Sequence, residues 1–252
     1  MENSTLRAQH GEDRLLAERF AGRRGGYYVE VGALDGETLS NTYHFEKALE
    51  WTGVLVEANP DQAARCRQLR PASHVAQVAA VAPGEEGTVV LEVADRHAGF
   101  STLSASRTYH RILAERNIST TPVDVPATTL DRVLEDVDPP AIDFVTIDVE
   151  GHERAVLQGF DLRRWRPEVV LVESATGAPD PRISWLLFRA GYARVRRVVV
   201  NDWYERRRPP ARVGLLVVAY VVSVPVVARI MAREALRAVG LLEALRRHRA
   251  RP

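Results

Sequence analysis

Short apolar runs alternate along the chain with segments whose apolar residues recur at helical spacing. Short apolar runs bounded by polar or turn residues are typical of buried strands. We therefore expect strands at 27–31, 53–56, 75–81, 88–93, 142–147, 169–172 and 194–200. Helical spacing and helix-start residues predict helices at 40–50, 61–69, 129–134, 153–158 and 183–189.

Strands that alternate with helices predict an α/β fold with a doubly wound, mostly parallel sheet covered on both faces. In such sheets, ligands bind at the carboxyl ends of the strands. The residues that directly follow each predicted strand are therefore the first candidates for a functional site.

The loop after the first strand has the spacing G-x-x-x-G, from Gly32 to Gly36. It lacks the G-x-G-x-x-G pattern that holds a dinucleotide pyrophosphate. Gly32 would let a ligand approach the backbone, and Gly36 would permit a tight turn. The flanking acids, Glu30 and Asp35, would repel a phosphate and suit a cationic ligand. The alternative is an ordinary strand–turn with a solvated aspartate.

Glu57 ends the second apolar run, 25 residues after Gly32. An acidic residue at this point can accept hydrogen bonds from the ribose hydroxyls of a nucleoside. The alternative is a surface glutamate before a helix that Asn59 caps and Pro60 begins. Its position at the predicted mouth of the sheet favours ligand binding.

Four ionisable side chains crowd into the loop after the strand 142–147: Asp148, Glu150, His152 and Glu153. Crowding beside a core should shift their pKa values, which is what acid–base sites use. Asp148, Glu150 and His152 are therefore candidate catalytic residues, whereas Glu153 is expected to stabilise the next helix's N-terminus. The alternative is a solvated loop. These acids do not specify a metal site, and none is predicted.

Composition and charge narrow the function classes. Cys66 is the only cysteine, which excludes a disulfide framework and a cysteine-based metal site. Residues 206–252 contain eleven arginines and two acids, a net charge of +9, so the remaining chain carries −8. An acidic body argues against nucleic acid as its partner. The strand-end acids instead suit a cationic nucleoside without phosphates, so S-adenosylmethionine fits better than NAD.

Taken in order, the motifs resemble those of the FkbM-type S-adenosylmethionine-dependent methyltransferases, from about residue 9 to about residue 204. The resemblance lies in 11–13, 28–36, 40–43, 57–60, 101–103, 129–131 and 147–153, the last followed by 156–160. It implies a seven-stranded class I methyltransferase fold. It also implies methyl transfer to hydroxyl oxygens of sugars or secondary metabolites, so the expected partner is a small-molecule, glycan or lipid-linked acceptor.

The resemblance also implies roles for individual residues. Glu57 holds the ribose, Asn41 lines the cofactor pocket, and residues 148–152 face the transferring methyl group. His152 is the first candidate for the base that takes the acceptor proton, with Asp148 or Glu150 orienting or replacing it. The full set assigned to the cofactor is Glu30, Gly32, Asp35, Gly36, Asn41, Glu57, Asn59, Ser101 and Asp148.

A basic and apolar tail follows the predicted domain 1–205. Arginines 206–208 and two prolines interrupt regular structure, so we place the boundary there. Residues 213–228 carry no charge, and 233–247 read as a basic amphipathic helix suited to anionic lipid. Three interpretations compete for the tail: attachment to the inner face of the membrane, a true span, and burial against protein.

Alternative functions remain open at this point. The polar start of the chain lacks an apolar signal segment, so a cytoplasmic body is expected. A non-catalytic nucleotide-binding or membrane-scaffold protein would use the same fold. An NAD-dependent oxidoreductase would explain Glu57 but not the missing glycine pattern. The acceptor is not specified, and we expect it to contact the loops 96–121 and 175–182.

Overall fold

The computed structural model describes residues 5–95, 99, 101–103, 113, 115, 117–174 and 178–207. The apolar and basic parts of the predicted tail, from 208 onward, lie outside these residues, as does much of the loop 96–121. Across the described ranges, no helix is both long enough and apolar enough to cross a membrane.

Ten strands form two sheets in the described part of the chain. In chain order they are β1 (Tyr27–Val31), β2 (Thr52–Val56), β3 (His74–Ala76), β4 (Ala79–Ala80), β5 (Gly87–Ala94), β6 (Thr120–Thr128), β7 (Phe144–Ile147), β8 (Val169–Glu173), β9 (Tyr192–Val198) and β10 (Asn201–Arg206). The main sheet has seven strands in the order β3-β2-β1-β7-β8-β10-β9, and β10 is antiparallel to both of its neighbours. The expected α/β fold with a seven-stranded, mostly parallel sheet is confirmed.

A second sheet of three strands has the order β4-β6-β5. The single strand predicted over 75–81 is wrong, because the chain leaves the main sheet after Ala76 and Ala79 pairs with Ala127 of β6. Strand β6 was not predicted, since prolines normally argue against a strand. Pro122 and Pro126 pair with β5, and β4 pairs only with the last two residues of β6, so β4 requires no amide hydrogen from either proline.

Seven helices complete the described fold. They are α1 (Glu12–Arg19), α2 (Tyr43–Leu49), α3 (Pro60–Leu69), α4 (Leu130–Val137), α5 (Glu153–Gln158), α6 (Leu162–Trp165) and α7 (Pro181–Arg189). The helices α1 and α6 and the strand β10 were not predicted. Helix α2 begins three residues later than expected, because the side chains of Ser40 and Thr42 bond to Glu30.

Local capping explains where several helices begin and end. The Asn59 side chain accepts from the Asp61 amide at 3.0 Å and caps α3, as predicted. Thr129 caps α4 by accepting from the Arg132 amide at 3.2 Å. Gly159 follows α5 but has φ −91°, so it is not a left-handed terminator. A Cβ at Gly159 would lie 2.4 Å from the Val81 carbonyl oxygen, so this glycine permits a close approach to the chain after β4.

Both faces of the main sheet are covered by apolar side chains. Val29 and Val145 lie in one buried cluster, with residues of α4, α5 and α7. Tyr28 and Phe144, the neighbouring residues on the same strands, lie in the other cluster, which includes residues of α1 and α2. This alternation is what a sheet packed between two helical layers requires.

Candidate functional site

A cavity lies at the carboxyl ends of β1, β2 and β7, beside the small sheet. Together with the open space at its mouth, it encloses about 590 Å³. It is lined by Val31, Gly32, Leu34, Val56, Glu57, Ala58, Val78, Ala79, Ala80, Leu91, Gly99, Ser101, Thr102, Leu103, Asp148, Val149 and Glu150.

Gly32 lets two strand ends meet at the cavity wall. A Cβ on this residue would lie 1.8 Å from the Asp148 carbonyl oxygen, and its φ is +86°. The Asp148 amide donates to the Val31 carbonyl at 3.0 Å. Any other residue type would therefore push the ends of β1 and β7 apart.

Glu57 lies on the cavity wall at the end of β2. Its carboxylate accepts hydrogen bonds from the Leu34 amide at 2.8 Å and the Asn59 amide at 2.7 Å. Burial raises the Glu57 pKa to about 7, although these amides oppose the shift. Each carboxylate oxygen has a second lone pair, so Glu57 can still accept from a ligand hydroxyl.

Glu30 lies beside the cavity but is not among its lining residues. Its side chain is buried and accepts from the Ser40 hydroxyl at 2.8 Å, the Asn41 amide at 2.8 Å and the Thr42 hydroxyl at 2.5 Å. Burial raises its pKa, while nearby Arg70 opposes the rise. Glu30 therefore organises the segment that leads into α2.

The loop after β1 is held from within. The Asp35 carboxylate accepts from the amides of Glu37 and Thr38 at 2.9 and 2.7 Å. The Gly36 carbonyl accepts from the buried Arg70 guanidinium at 2.7 Å. Neither Asp35 nor Gly36 lines the cavity, so both shape the loop behind its wall.

Of the remaining residues predicted to bind the cofactor, one lines the cavity and two lie outside its lining. Ser101 lines the cavity, and its hydroxyl accepts from the Ala94 amide at 3.2 Å. Asn59 lies behind Glu57 as the cap of α3. Asn41 is not among the cavity-lining residues, although the sequence predicted it there. Its side-chain amide oxygen is buried and finds no hydrogen-bond partner within the described ranges.

The structure separates the three candidate catalytic residues. Asp148 and Glu150 line the cavity, and the Glu150 carbonyl accepts from the Thr102 hydroxyl at 2.9 Å. His152 is the N-cap of α5 and does not line the cavity. Its Nε2 lies 4.0 Å from a carboxylate oxygen of Glu85, in the turn that follows β4.

Glu173, at the end of β8, joins the site without having been predicted. Carboxylate oxygens of Asp148, Glu153 and Glu173 all lie within 4.8 Å of one another. At this spacing the ionisation of each carboxyl affects the others, because like charges disfavour one another. The sequence did carry a signal, because Glu173 ends an apolar run just as Glu57 does.

The clustered acids Asp148, Glu153 and Glu173 influence one another's pKa values. Burial raises the pKa of Asp148 and of Glu173, and the neighbouring carboxylates raise both further. Glu153 accepts from the Gly151 amide at 2.8 Å and the Val149 amide at 3.3 Å, consistent with its expected role at the start of α5. Protonation of one of these carboxyls would relieve their mutual repulsion, and a divalent cation would need similar spacing.

The cavity wall combines negative and apolar surface. Its ionisable residues are Glu57, Asp148 and Glu150, and no arginine, lysine or histidine occurs among the lining residues in the described part of the chain. Val56, Val78 and Leu91 provide an apolar flank. Such a wall suits a ligand with a flat ring and a positive charge, and it disfavours a phosphate.

One family profile matches most of the chain. The sequence profile of the family described as "Methyltransferase FkbM domain" matches residues 30–193. The matched range contains strands β2 to β8, the end of β1, the start of β9 and all the cavity-lining residues. A comparison with curated proteins gives no match.

Several solved structures have a similar arrangement of elements. A TehB-like SAM-dependent methyltransferase from Corynebacterium glutamicum is 9% identical, with TM-score 0.42 over 79% of this chain and 89% of that one. A SAM-dependent methyltransferase from Geobacter sulfurreducens, in complex with S-adenosyl-L-homocysteine, is 9% identical, with TM-score 0.37 over 75% and 66% of the two chains. A SAM-dependent methyltransferase from Aquifex aeolicus is 10% identical, with TM-score 0.34 over 78% and 90%.

Proposed function

The chain belongs to the FkbM family of methyltransferases, and on this basis we propose that it transfers a methyl group from S-adenosylmethionine to a hydroxyl oxygen. The acceptor we propose is a small molecule, such as a sugar, a glycolipid or a secondary metabolite. Residues 1–205 form the catalytic domain in this proposal.

The observation that carries the proposal is the cavity wall. Glu57 and Asp148 place carboxyl groups at the ends of neighbouring strands, beside an apolar flank. A cationic nucleoside without phosphates matches both features, since the wall provides acceptors for hydroxyls and negative charge for a sulfonium. The glycine at position 32 lets the ends of β1 and β7, which form part of this wall, lie close together.

We assign the ribose hydroxyls to Glu57. Its carboxylate is fixed by two backbone amides, so it needs no reorganisation to accept further hydrogen bonds. The buried Asn41 amide oxygen is the proposed acceptor for a donor on the amino-acid portion. Glu30 supports this arrangement by accepting a hydrogen bond from the Asn41 backbone amide, rather than by contacting the cofactor.

When bound, S-adenosylmethionine supplies a methyl carbon already activated by a positive sulfur. The remaining work for the chain is to align the acceptor hydroxyl and to take its proton. Alignment can lower the barrier by about 7–11 kcal/mol in favourable cases, and a positioned base typically contributes about 10²–10⁴-fold.

We propose Asp148, paired with Glu173, as the proton acceptor. Asp148 lines the cavity, whereas His152, the first candidate from the sequence, does not. Burial and the neighbouring carboxylates raise the pKa of Asp148, so its ionised form is a stronger base than an ordinary carboxylate. A stronger base takes the hydroxyl proton more readily.

The basic tail, 206–252, has a separate proposed role. Its net charge of +9 and its uncharged segment 213–228 would suit attachment to an anionic membrane surface, on the cytoplasmic side. This role rests on sequence alone, because residues from 208 onward lie outside the described structure.

Calorimetric titration with S-adenosylmethionine tests the central proposal. The unaltered protein should bind, and Glu57→Gln should weaken binding about tenfold or more, because a hydrogen bond to a charged group contributes about 1.5–3 kcal/mol. Asp148→Asn should also weaken binding, because it removes a carboxyl from the cavity wall, and it should lower turnover by a larger factor once an acceptor has been found by mass-shift screening. Glu86→Gln, on the exposed turn before β5, is the matched control.

Two outcomes would count against these assignments. Unchanged affinity in Glu57→Gln would remove the ribose role of that residue. If the unaltered protein fails to bind S-adenosylmethionine, the methyltransferase proposal itself fails. Tight binding with no methyl transfer to any screened acceptor would favour a non-catalytic nucleotide-binding protein.

A further inference from the structure

Two buried acids near the start of the chain have no part in the proposed chemistry. Glu12 and Asp13 are 0% and 1% exposed, and neither lines the cavity. Acidic side chains are rarely this buried unless they are satisfied by specific partners. Their partners therefore show what these residues hold in place.

The Asp13 carboxylate fixes the backbone of a preceding segment. One oxygen accepts from the Arg7 amide at 2.6 Å and from the Ala8 amide at 2.9 Å. The other oxygen accepts from the Arg14 amide at 2.7 Å, at the start of α1. Asp13 thus anchors residues 5–8, which we call the N-terminal strap, to the first turn of α1.

The N-terminal strap crosses the segment between β1 and α2. Ala8 forms a parallel bridge with Leu39, and the Arg7 guanidinium bonds to the Glu37 carboxylate at 3.0 Å. The same guanidinium lies 5.0 Å from the centre of the Tyr43 ring. At its start, the Thr5 hydroxyl lies 2.6 Å from His44 Nδ1.

The segment under the strap continues into the cavity wall. Leu34 and Leu39 have φ values of +52° and +59°, a region that residues other than glycine seldom adopt. The Leu34 amide nevertheless has to reach Glu57, the proposed ribose ligand. Such backbone conformations persist only where surrounding contacts enforce them, and the strap supplies contacts to this segment.

We propose that Asp13 is a positioning residue, which acts through the N-terminal strap to hold the loop 32–42 in the shape that receives S-adenosylmethionine. This inference rests on the proposed function of the cavity. The sequence motif Gly11-Glu12-Asp13 then has a role at the site, although it lies outside the matched family range and far from the cavity residues in sequence.

The neighbouring acid, Glu12, provides a matched control. It is equally buried and lies in the same turn, but its side chain accepts from Asn201 of β10 at 2.7 Å and from the His10 amide at 2.9 Å. Glu12→Gln therefore disturbs a buried carboxylate at the same end of α1 without removing the acceptor for Arg7 and Ala8.

The test compares S-adenosylmethionine affinity, thermal stability and amide hydrogen exchange in the full chain. Asp13→Asn should raise the Kd about tenfold and speed exchange in the peptide covering 32–42. Glu12→Gln should leave the Kd within about threefold, even where its melting temperature falls equally. Arg7→Met, on a partly exposed side chain, should raise the Kd without loss of folding, and the double variant with Asp13→Asn should add little further.

The outcomes separate this inference from the proposed function. If the unaltered protein does not bind S-adenosylmethionine, the proposed function is wrong. If it binds, and both Asp13→Asn and Arg7→Met bind within threefold with unchanged exchange in 32–42, the strap does not position the loop. An equal loss of affinity in Glu12→Gln and Asp13→Asn would also overturn the inference, because general destabilisation would then explain both.

Discussion

At the scale of single residues, the site keeps carboxyl groups in places where ionisation is unfavourable. Glu57 is held by backbone amides, and Asp148 and Glu173 lie close to each other and to Glu153. Removing a carboxylate from water disfavours its charged form, so the pKa values of all four rise. A bound cation would offset part of the free-energy cost of ionising these carboxyls. Their protonation should therefore depend on both pH and ligand.

The raised pKa of Glu57 predicts the sign of a pH effect on stability. Its pKa rises from 4.5 to about 7 on folding, so its contribution is fully present below pH 4.5 and is lost as the pH rises through 7. The ligand-free protein should therefore lose roughly 1–2 kcal/mol of unfolding free energy between pH 5.5 and 8 through this group. Urea unfolding at several pH values measures the change.

Glu57→Gln should make the unfolding free energy less dependent on pH, because the neutral amide does not titrate. Some dependence on pH should remain, since the raised pKa values of Asp148 and Glu173 act in the same direction. Glu86→Gln serves as the exposed control. A slope in Glu57→Gln equal to that of the unaltered protein would contradict the assignment.

At the scale of elements, close backbone approaches determine where helices and strands meet. Gly159 brings the end of α5 against the Val81 carbonyl, and its own carbonyl accepts from the Asp131 amide at 2.8 Å. This contact links α4 and α5 to the chain after β4. Since β4 provides part of the cavity wall, the contact also bears on the shape of the site.

Gly159→Ala should destabilise the fold, because its Cβ would lie 2.4 Å from a backbone oxygen that cannot move alone. Overpacking of this kind costs about 1–3 kcal/mol. Gly99→Ala is the control, since a Cβ there would meet nothing within 4 Å. Urea unfolding of both variants checks the prediction, and equal stability of the two would show that the contact relaxes freely.

At the scale of the whole molecule, charge is divided along the chain. The first 205 residues carry a net charge of −8 and the rest +9. A negative body keeps the cavity favourable for cations, while a positive tail would be attracted to anionic lipid. Such attraction is weakened by salt, because exposed charges are screened beyond about 10 Å at 0.1 M ionic strength.

Vesicle sedimentation tests the proposed role of the tail. The full chain should bind vesicles that contain an anionic phospholipid, more weakly at high salt, whereas a variant ending at residue 207 should stay in solution. Neutral phosphatidylcholine vesicles are the control. If the full chain ignores anionic vesicles at low salt, membrane attachment is wrong.

Much of the site could be predicted because its signals are local. An apolar run followed by an acid marks a strand end, and this pattern identified Glu57 and Asp148 at the cavity. The same pattern at Glu173 was passed over. The role of Glu30 could not be read from its strand, since it depends on Ser40, Thr42 and the buried Arg70 from three other segments.

The amino-acid sequence alone determined the alternation of strands and helices, most element positions and the acids at two strand ends, because these depend on neighbours within a few residues. Only the tertiary structure decided which acids lie together, which way β10 runs and where the chain between Ala76 and Ala79 changes sheets. It also placed the N-terminal strap, which Asp13 anchors, against the loop 32–42. Those features depend on contacts between distant segments, and only packing brings such segments together.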